Sequence, residues 1–503
     1  MTPLTSGTTA EPMNWLGILP QLVLLVLIGV VAIADLWSRA ADRLTTYVLA
    51  QSSLTVVAAL QLWFIWKGQT GEAMQGMVVV DPMGNLLGLF ATLAMMATLV
   101  HAKSYAAGRE MLKGELFTLS MFTLLGVLVM VGANNFLVVY LGLELMSLSL
   151  YALVALRRDQ PVAVEAAMKY FVLGALSSGF LLYGLSMMYG ATGSLDIGEV
   201  FKAIGTGQIN RDVLVLGTVF VVAGLAFKFG AVPFHMWVPD VYQGAPTAAT
   251  LLVGGAPKLA AFGIAMRLLV EGMIGLAPDW QQMIAVMAVA SMALGNLAAI
   301  AQPNLKRMLA YSTIAQIGFM LLGFVPGVVS GTTVSAANAY SSAMFYVVTD
   351  VLTSVGTFGA IMLLSRAGHE AESIDDFRGL ARRSPWVAAV MAIFMFSLAG
   401  IPPTVGFYAK LAVLQSLVTT GVAAHVWLAV AAVVLSLFGA FYYLRIVKVM
   451  YFDEPAADQP PVGGGKDARL LLGLNGFAIL ALGILPGGLM QLCTQAIAQS
   501  FAN

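Results

Sequence analysis

The chain has 503 residues, 59% of them hydrophobic and 10% charged, and its 25 Lys plus Arg balance its 25 Asp plus Glu. Soluble domains carry ~25% charged residues, so a chain with a mean hydropathy of +0.88 must use lipid as its solvent. A nucleic-acid binder is excluded, because no basic patch of useful size exists, and the lone Cys493 excludes a disulfide framework and an iron–sulfur cluster held by this chain alone.

A spanning helix needs about 20 apolar residues. Fourteen such runs follow one another at 15–35, 45–66, 84–102, 114–132, 135–156, 166–190, 213–238, 247–271, 280–302, 305–326, 340–364, 386–414, 422–449 and 469–492. The residues before the first run include Glu11 and no Lys or Arg, so that run reads as a retained helix and not as a signal peptide. The runs are continuous and lack the ~10-residue alternation of a membrane barrel. The expected fold is therefore all-α: one polytopic membrane domain over 1–503 with about 14 transmembrane helices. Pro460–Pro461–Val462–Gly463–Gly464–Gly465–Lys466 reads as a flexible connector; Asp467 stands where a phosphate loop needs Ser or Thr.

Lys and Arg set orientation. Loops from odd to even spans hold 17: Arg39, Arg43, Lys103, Arg109, Lys113, Arg157, Arg158, Lys306, Arg307, Arg366, Arg378, Arg382, Arg383, Arg445, Lys448, Lys466 and Arg469. Loops from even to odd spans hold four: Lys67, Lys202, Arg211 and Arg267. The asymmetry predicts that both termini lie on the non-cytoplasmic side.

Five ionisable residues fall well inside spans: Glu144, Lys228, Lys258, Asp350 and Lys410. A charge at the bilayer centre costs ~2.5–3.5 kcal/mol on insertion scales, so such groups pair or line water. Lysine suits proton relay because burial lowers its pKa readily, whereas arginine stays charged. Glu144 is the expected partner of Lys228. The lysines accompany helix breakers: Gly230 and Pro233 after Lys228, Gly254–Gly255 and Pro257 before Lys258, and Gly400, Pro402 and Pro403 before Lys410. Proline frees backbone carbonyls, and irregular backbone at membrane depth is tolerated only inside protein or beside a wet cavity. Broken spans 7 and 12, five apart, suggest two inverted five-helix repeats, 114–271 and 280–449. His235 follows Lys228 by seven residues, which places it two turns along the same helical face, positioned to carry a proton towards span 8; a hydrogen-bonded structural histidine is the alternative. His101, His369 and His425 read as interface or loop residues, and the four histidines make no metal motif.

The run Lys228–Phe229–Gly230–Ala231–Val232–Pro233–Phe234–His235–Met236–Trp237–Val238–Pro239–Asp240–Val241–Tyr242–Gln243–Gly244–Ala245–Pro246–Thr247 resembles the signature of the antiporter-like membrane subunits of respiratory complex I. Its Asp240–Thr247 part is similar to the N-type subunits and not to the L or M type. Tyr140–Leu145, Leu305–Ser312 and Leu398–Thr404 extend the resemblance over nearly the whole chain. Lys410 stands where the M type has Glu, and the chain ends soon after span 14, without the long lateral helix of the L type.

The resemblance implies a membrane-arm subunit of a bacterial NADH:quinone oxidoreductase, in the inner (plasma) membrane with periplasmic termini, carrying one proton pathway. Glu144 and Lys228 would form the switching pair, Lys258 and His235 would lie on the central hydrated axis, and Lys410 would lead to the non-cytoplasmic exit. It implies no cofactor in this chain; NADH, FMN, iron–sulfur clusters and quinone would belong to partner subunits. The partners implied are the M subunit and the small K and J membrane subunits, within the lipid bilayer. Gln316 and Asp350 depart from the family pattern, which has His and Tyr there. Asp350 reads either as an extra ion pair or proton site, or as a satisfied acid. Two competing readings are a subunit of a multisubunit cation/proton antiporter or membrane-bound hydrogenase, and a passive scaffold whose charges only fix helix pairing.

Overall fold

The computed structural model describes residues 13–38, 42–366, 368–455, 463 and 465–501. Glu11, Arg39 and, in the expected connector, Pro460, Pro461, Val462 and Gly464 lie outside the described residues. The described chain is a polytopic bundle of helices with one small hairpin.

Apolar runs become helices because lipid leaves backbone groups no other partner. Helix α1 (Leu19–Trp37) and α2 (Leu44–Lys67) lead into a hairpin of β1 (Gly71–Ala73) and β2 (Val78–Val80), and then α3 (Pro82–Ala107). Next come α4 (Gly114–Val131), α5 (Phe136–Val154), α6 (Pro161–Thr192), the short α7 (Ile197–Gly205) and α8 (Arg211–Phe229). Three pieces follow: α9 (Trp237–Gly244), α10 (Thr247–Gly254) and α11 (Ala256–Ala265), the last continuing as a π-helix over Met266–Gly272. The remainder is α12 (Ala277–Ile300), α13 (Leu305–Leu322), α14 (Ala336–Leu364), α15 (Leu380–Arg383), α16 (Pro385–Ala399), α17 (Val405–Val418), α18 (Ala423–Phe452), α19 (Lys466–Ile484) and α20 (Gly487–Ser500).

Thirteen described helical segments are long and apolar enough to cross a membrane. The expected span 386–414 is split between α16 and α17, of 15 and 14 residues. The expected span 469–492 is cut at Ile484, and its last residues open α20; the hairpin and α7 were not expected from the apolar runs, being too short or too polar to register as spans. The heptad placement of His235 does not survive, because α8 stops at Phe229. Gly230 closes it with a left-handed φ of 73°, and Ala231–Met236 form no helix. Gly400 closes α16 in the same way, with φ 81°. In both breaks a Gly–x–x–Pro sequence stands at the stop, where proline offers no donor to resume the helix.

Charges concentrate in the innermost helices. The segments Thr247–Gly272, Leu305–Gly327 and Ala336–Leu364, which carry Lys258, Gln316 and Asp350, are 94%, 94% and 89% buried, against 17% for α18. Outer helices present large apolar side chains such as Trp66, Leu437 and Phe477, as lipid-facing surfaces do. Close helix pairs rest on small residues. A methyl on Gly126 of α4 would meet the Gly142 carbonyl of α5 at 2.6 Å, and one on Gly318 of α13 would meet the Ala288 carbonyl of α12 at 2.7 Å.

Candidate functional site

The broken helices bring the buried charges into one line. Lys228 is in the last turn of α8, and its Nζ donates to Ser147 Oγ at 3.0 Å. Ser147 lies three residues past Glu144 on α5, on the same helical face. Glu144 is half-buried, its Oε1 has no hydrogen-bond partner, and among the described residues it forms no ion pair with Lys228. The ammonium thus sits on a hydroxyl one turn from the carboxylate that the sequence assigned to it.

Lys258 sits in the first turn of α11, just past the break at Gly255. Its Nζ donates to Asp350 Oδ2 of α14 at 2.7 Å, and the two side chains are 6% and 7% exposed. Asp350 is thus the ion-pair partner of Lys258. Between Lys228 and Lys258 lies a cavity of about 20 Å³, also bordered by Tyr242 and Thr313, which is room for one water.

Lys410, on α17, reaches back across the second break. Its Nζ donates to the Leu398 carbonyl at 2.9 Å and the Ala399 carbonyl at 3.2 Å. These are end carbonyls of α16, left without helical partners by the stop at Gly400, and they carry the negative end of the helix dipole. Gln316 Nε2 donates to the same Leu398 carbonyl at 2.9 Å and to Tyr443 Oη at 2.9 Å, while its Oε1 accepts from Tyr346 Oη. Tyr346 is one turn before Asp350 on α14. A second cavity of about 20 Å³ is bordered by Asp350, Lys410, Gln316 and Ser397. Gln316 therefore shares the Leu398 carbonyl with Lys410 and borders the cavity that Asp350 and Lys410 also line.

His235 lies in the break after α8, half-buried, with Nδ1 buried and unpartnered. The structure brings Lys228, Lys258, Asp350 and Lys410 together along the two cavities; it leaves His235 beside the first break, off the helical face of Lys228. Sequence reasoning missed Ser147, Tyr346 and Tyr443. The first two lie three residues after Glu144 and four before Asp350, a helical spacing that signals them; Tyr443 carries no such signal.

Two further clusters cap the line. At the arginine-rich face Glu370 accepts from Tyr105 Oη and Arg109 Nε, each at 2.6 Å, and from Thr247 Oγ1 at 3.2 Å. Burial raises the carboxyl's pKa, but Lys306, Arg109 and the Tyr105 hydrogen bond outweigh it and hold Glu370 below the ordinary carboxylate value. Asp240 there pairs with Lys169 and Arg307, both at 2.8 Å. At the opposite face Arg267, counted from sequence as a loop residue, is 1% exposed. It pairs with Asp81 and Glu271 at 2.7 Å each, and Asp81 also accepts from Ser500 Oγ at 2.6 Å. Among the described residues no group of three His, Cys, Asp or Glu could hold a metal ion.

The family described as NADH:quinone oxidoreductase/Mrp antiporter, TM, matches residues 133–439. The NADH-quinone oxidoreductase subunit N of Herminiimonas arsenicoxydans is 59% identical over 98% of this chain and 99% of its own length. A chain of respiratory complex I from Thermus thermophilus, solved with bound aureothin, superposes with a TM-score of 0.78 at 29% identity, over 94% of this chain and 99% of that one. A chain of the Mrp complex from Dietzia superposes at 0.84 with 22% identity, over 97% of each chain; that likeness shows the fold alone.

Proposed function

This chain belongs to the NADH-quinone oxidoreductase subunit N family, and from that premise we propose that it is a proton-translocating membrane-arm subunit of a bacterial NADH:quinone oxidoreductase. The observation that carries the reading is the line Lys228, Lys258–Asp350, Lys410, joined by two cavities that each have room for a water. NADH, FMN, iron–sulfur clusters and quinone belong to partner subunits, and this chain supplies no redox centre. Its neighbours are the M subunit and the small K and J membrane subunits. The arginine-rich face is cytoplasmic, both termini are periplasmic, and the membrane is the bacterial inner membrane. Residues 114–271 and 280–449 act as two inverted five-helix repeats; the matching stops at Gly230 and Gly400 support this.

The chemistry follows from which groups can move. Withdrawn from Lys228, the Glu144 carboxylate leaves an ammonium solvated by one hydroxyl, and the proton is released towards the cavity shared with Lys258. His235 lies beside the break with an unpartnered Nδ1, outside the lining of that cavity. At Lys258 the Asp350 carboxylate stands 2.7 Å away as the partner. Passage to Lys410 runs through the second cavity past Gln316, and return of Glu144 to Lys228 expels the charge towards the periplasm. Each charge moved against 100 mV costs ~2.3 kcal/mol, and two pK units of lysine proton affinity are worth ~2.7 kcal/mol, so pair switching is of the required size.

The test is purification of the chain from its native membrane. Recovery with a flavin- and iron–sulfur-containing complex that reduces quinone with NADH supports the reading. Sodium- or potassium-dependent proton exchange without NADH oxidation would overturn it in favour of a separate antiporter.

A further inference from the structure

At the arginine-rich face a cavity of about 340 Å³ opens between the α3–α4 and α5–α6 connections, well away from the lysine line. It is far larger than the water-sized cavities of that line and falls at the lower end of the range for ligand clefts. Its walls carry Lys113, Arg157 and Arg158 together with Glu110, Glu115 and Asp159. Arg109 also borders it, but its guanidinium is committed to Glu370 and to the carbonyls of Arg366 and His369.

Three cations and three acids therefore share one cavity, and among the described residues none of the six forms an ion pair. Arg157 adds a sharper sign: its Nε is buried and has no hydrogen-bond partner. An unpartnered buried guanidinium N–H is a costly arrangement, and it is satisfied by an oxygen brought from outside. The walls ask for a group bearing both signs. A phosphate suits the guanidinium of Arg157, with Arg158 and Lys113 around it. A primary ammonium, with three donors, suits the carboxylates of Glu110, Glu115 and Asp159.

The surroundings are those of a lipid. Gly114, at the start of α4, lies so close to α1 that a methyl there would collide with the Asp35 carboxylate. Next to Asp35, Leu36 and Trp37 are 83% and 79% exposed, and an exposed tryptophan at a span end is the mark of the headgroup level. Leu156 borders the cavity, and back along α5 from it Leu148, Leu141 and Leu137 are exposed, an apolar surface for an acyl chain.

We propose that this cavity binds the headgroup of a zwitterionic aminophospholipid, phosphatidylethanolamine, with its phosphate on Arg157 and Arg158 and its ammonium on the carboxylates of the lining. Basic pockets between spans bind lipid headgroups generally; the acids among the lining of this one select a headgroup that also carries a hydrogen-bonding cation. A phosphatidylglycerol headgroup leaves the acids facing its phosphate, and the quaternary ammonium of phosphatidylcholine has no N–H to donate.

The test uses the intact detergent-purified complex, washed and then exposed in turn to phosphatidylethanolamine, phosphatidylglycerol and phosphatidylcholine, with bound lipid counted by native mass spectrometry. Phosphatidylethanolamine should be retained over the other two. Arg158→Gln should weaken its retention about tenfold, the size of one lost charged hydrogen bond. Asp159→Asn should bring phosphatidylglycerol up to the level of phosphatidylethanolamine. Both residues are exposed, so the substitutions leave the fold intact; Arg157→Gln is the stronger variant where it assembles. Soluble glycerophosphoethanolamine should compete for the site and inorganic phosphate should not. Equal retention of the three lipids, unchanged retention in both variants, or a cross-link from Lys113 to a neighbouring subunit that fills the cavity would overturn the proposal.

Discussion

Lys228 and Lys410 stand beside breaks built on the same Gly–x–x–Pro sequence, yet they are held by different things. Lys228 lies before its break and donates to a side-chain hydroxyl, with an unpartnered carboxylate one turn away on another helix. Lys410 lies after its break and donates to two backbone carbonyls of the segment it has just left. A side-chain partner can swing through a rotamer change, whereas an end carbonyl moves only with its helix. The first half of the molecule therefore carries an adjustable counter-charge and the second a fixed one. Between them the Lys258–Asp350 pair is buried and directly bonded, with one water-sized cavity on each side.

The largest effect is expected at that central pair. Removing one member of a buried ion pair costs about 3–5 kcal/mol, because the other is left buried and uncompensated. Lys258→Met should lower the thermal midpoint of the assembled complex and abolish pumping. Adding Asp350→Asn should restore much of the midpoint and none of the pumping. Full pumping in the double variant would mean that the pair is structural only.

The two breaks can be set against each other with one methyl each. Both glycines have left-handed φ, where an added Cβ costs roughly 1–2 kcal/mol. At Gly400 that Cβ also lies 2.9 Å from Lys410 Cδ, whereas at Gly230 it meets Val238 Cγ2 at 2.6 Å. Gly400→Ala should reduce protons moved per NADH oxidised in sealed vesicles. Gly230→Ala should lower the thermal midpoint with a smaller change in that ratio. The reverse ranking would undo the assignment of the fixed carbonyl partners to Lys410.

A smaller effect separates the adjustable half. Ser147→Ala removes one hydrogen bond, worth about 1 kcal/mol, and leaves Lys228 without its hydroxyl partner. Pumping should slow at unchanged assembly, with a shifted pH–rate profile; the matching loss at Gln316 should change the rate without that shift. Smallest is a control at the arginine-rich face. Glu370 is held below its ordinary value, so its stabilisation is present above the unfolded carboxylate pKa of about 4.3 and is lost as pH falls through the lower folded value. The difference in thermal midpoint between the parent and Glu370→Gln should shrink on acidification through that range and stay flat from pH 6 to 8.

The span pattern was legible because lipid forces helices onto apolar runs, and the two stops were legible because glycine and proline punctuate at any depth. Lys228, Lys258 and Lys410 stood out because charge is rare among apolar residues. Partners were harder to read. Asp350 was visible as an acid, but its pairing with Lys258 joins residues 92 apart, and no local period reports such a contact. Arg267 looked like a loop residue because only the fold brings Asp81 to it. His235 was misplaced by assuming that a helix continued through Gly230.

The central claim is that the charge on Lys228 is governed by Glu144. The most direct measurement is the number of protons moved per NADH oxidised by the complex in sealed vesicles, with Glu144→Gln as the single change. An intact complex that oxidises NADH yet pumps fewer protons per electron pair is the predicted result. A ratio equal to the parent's would contradict the switch.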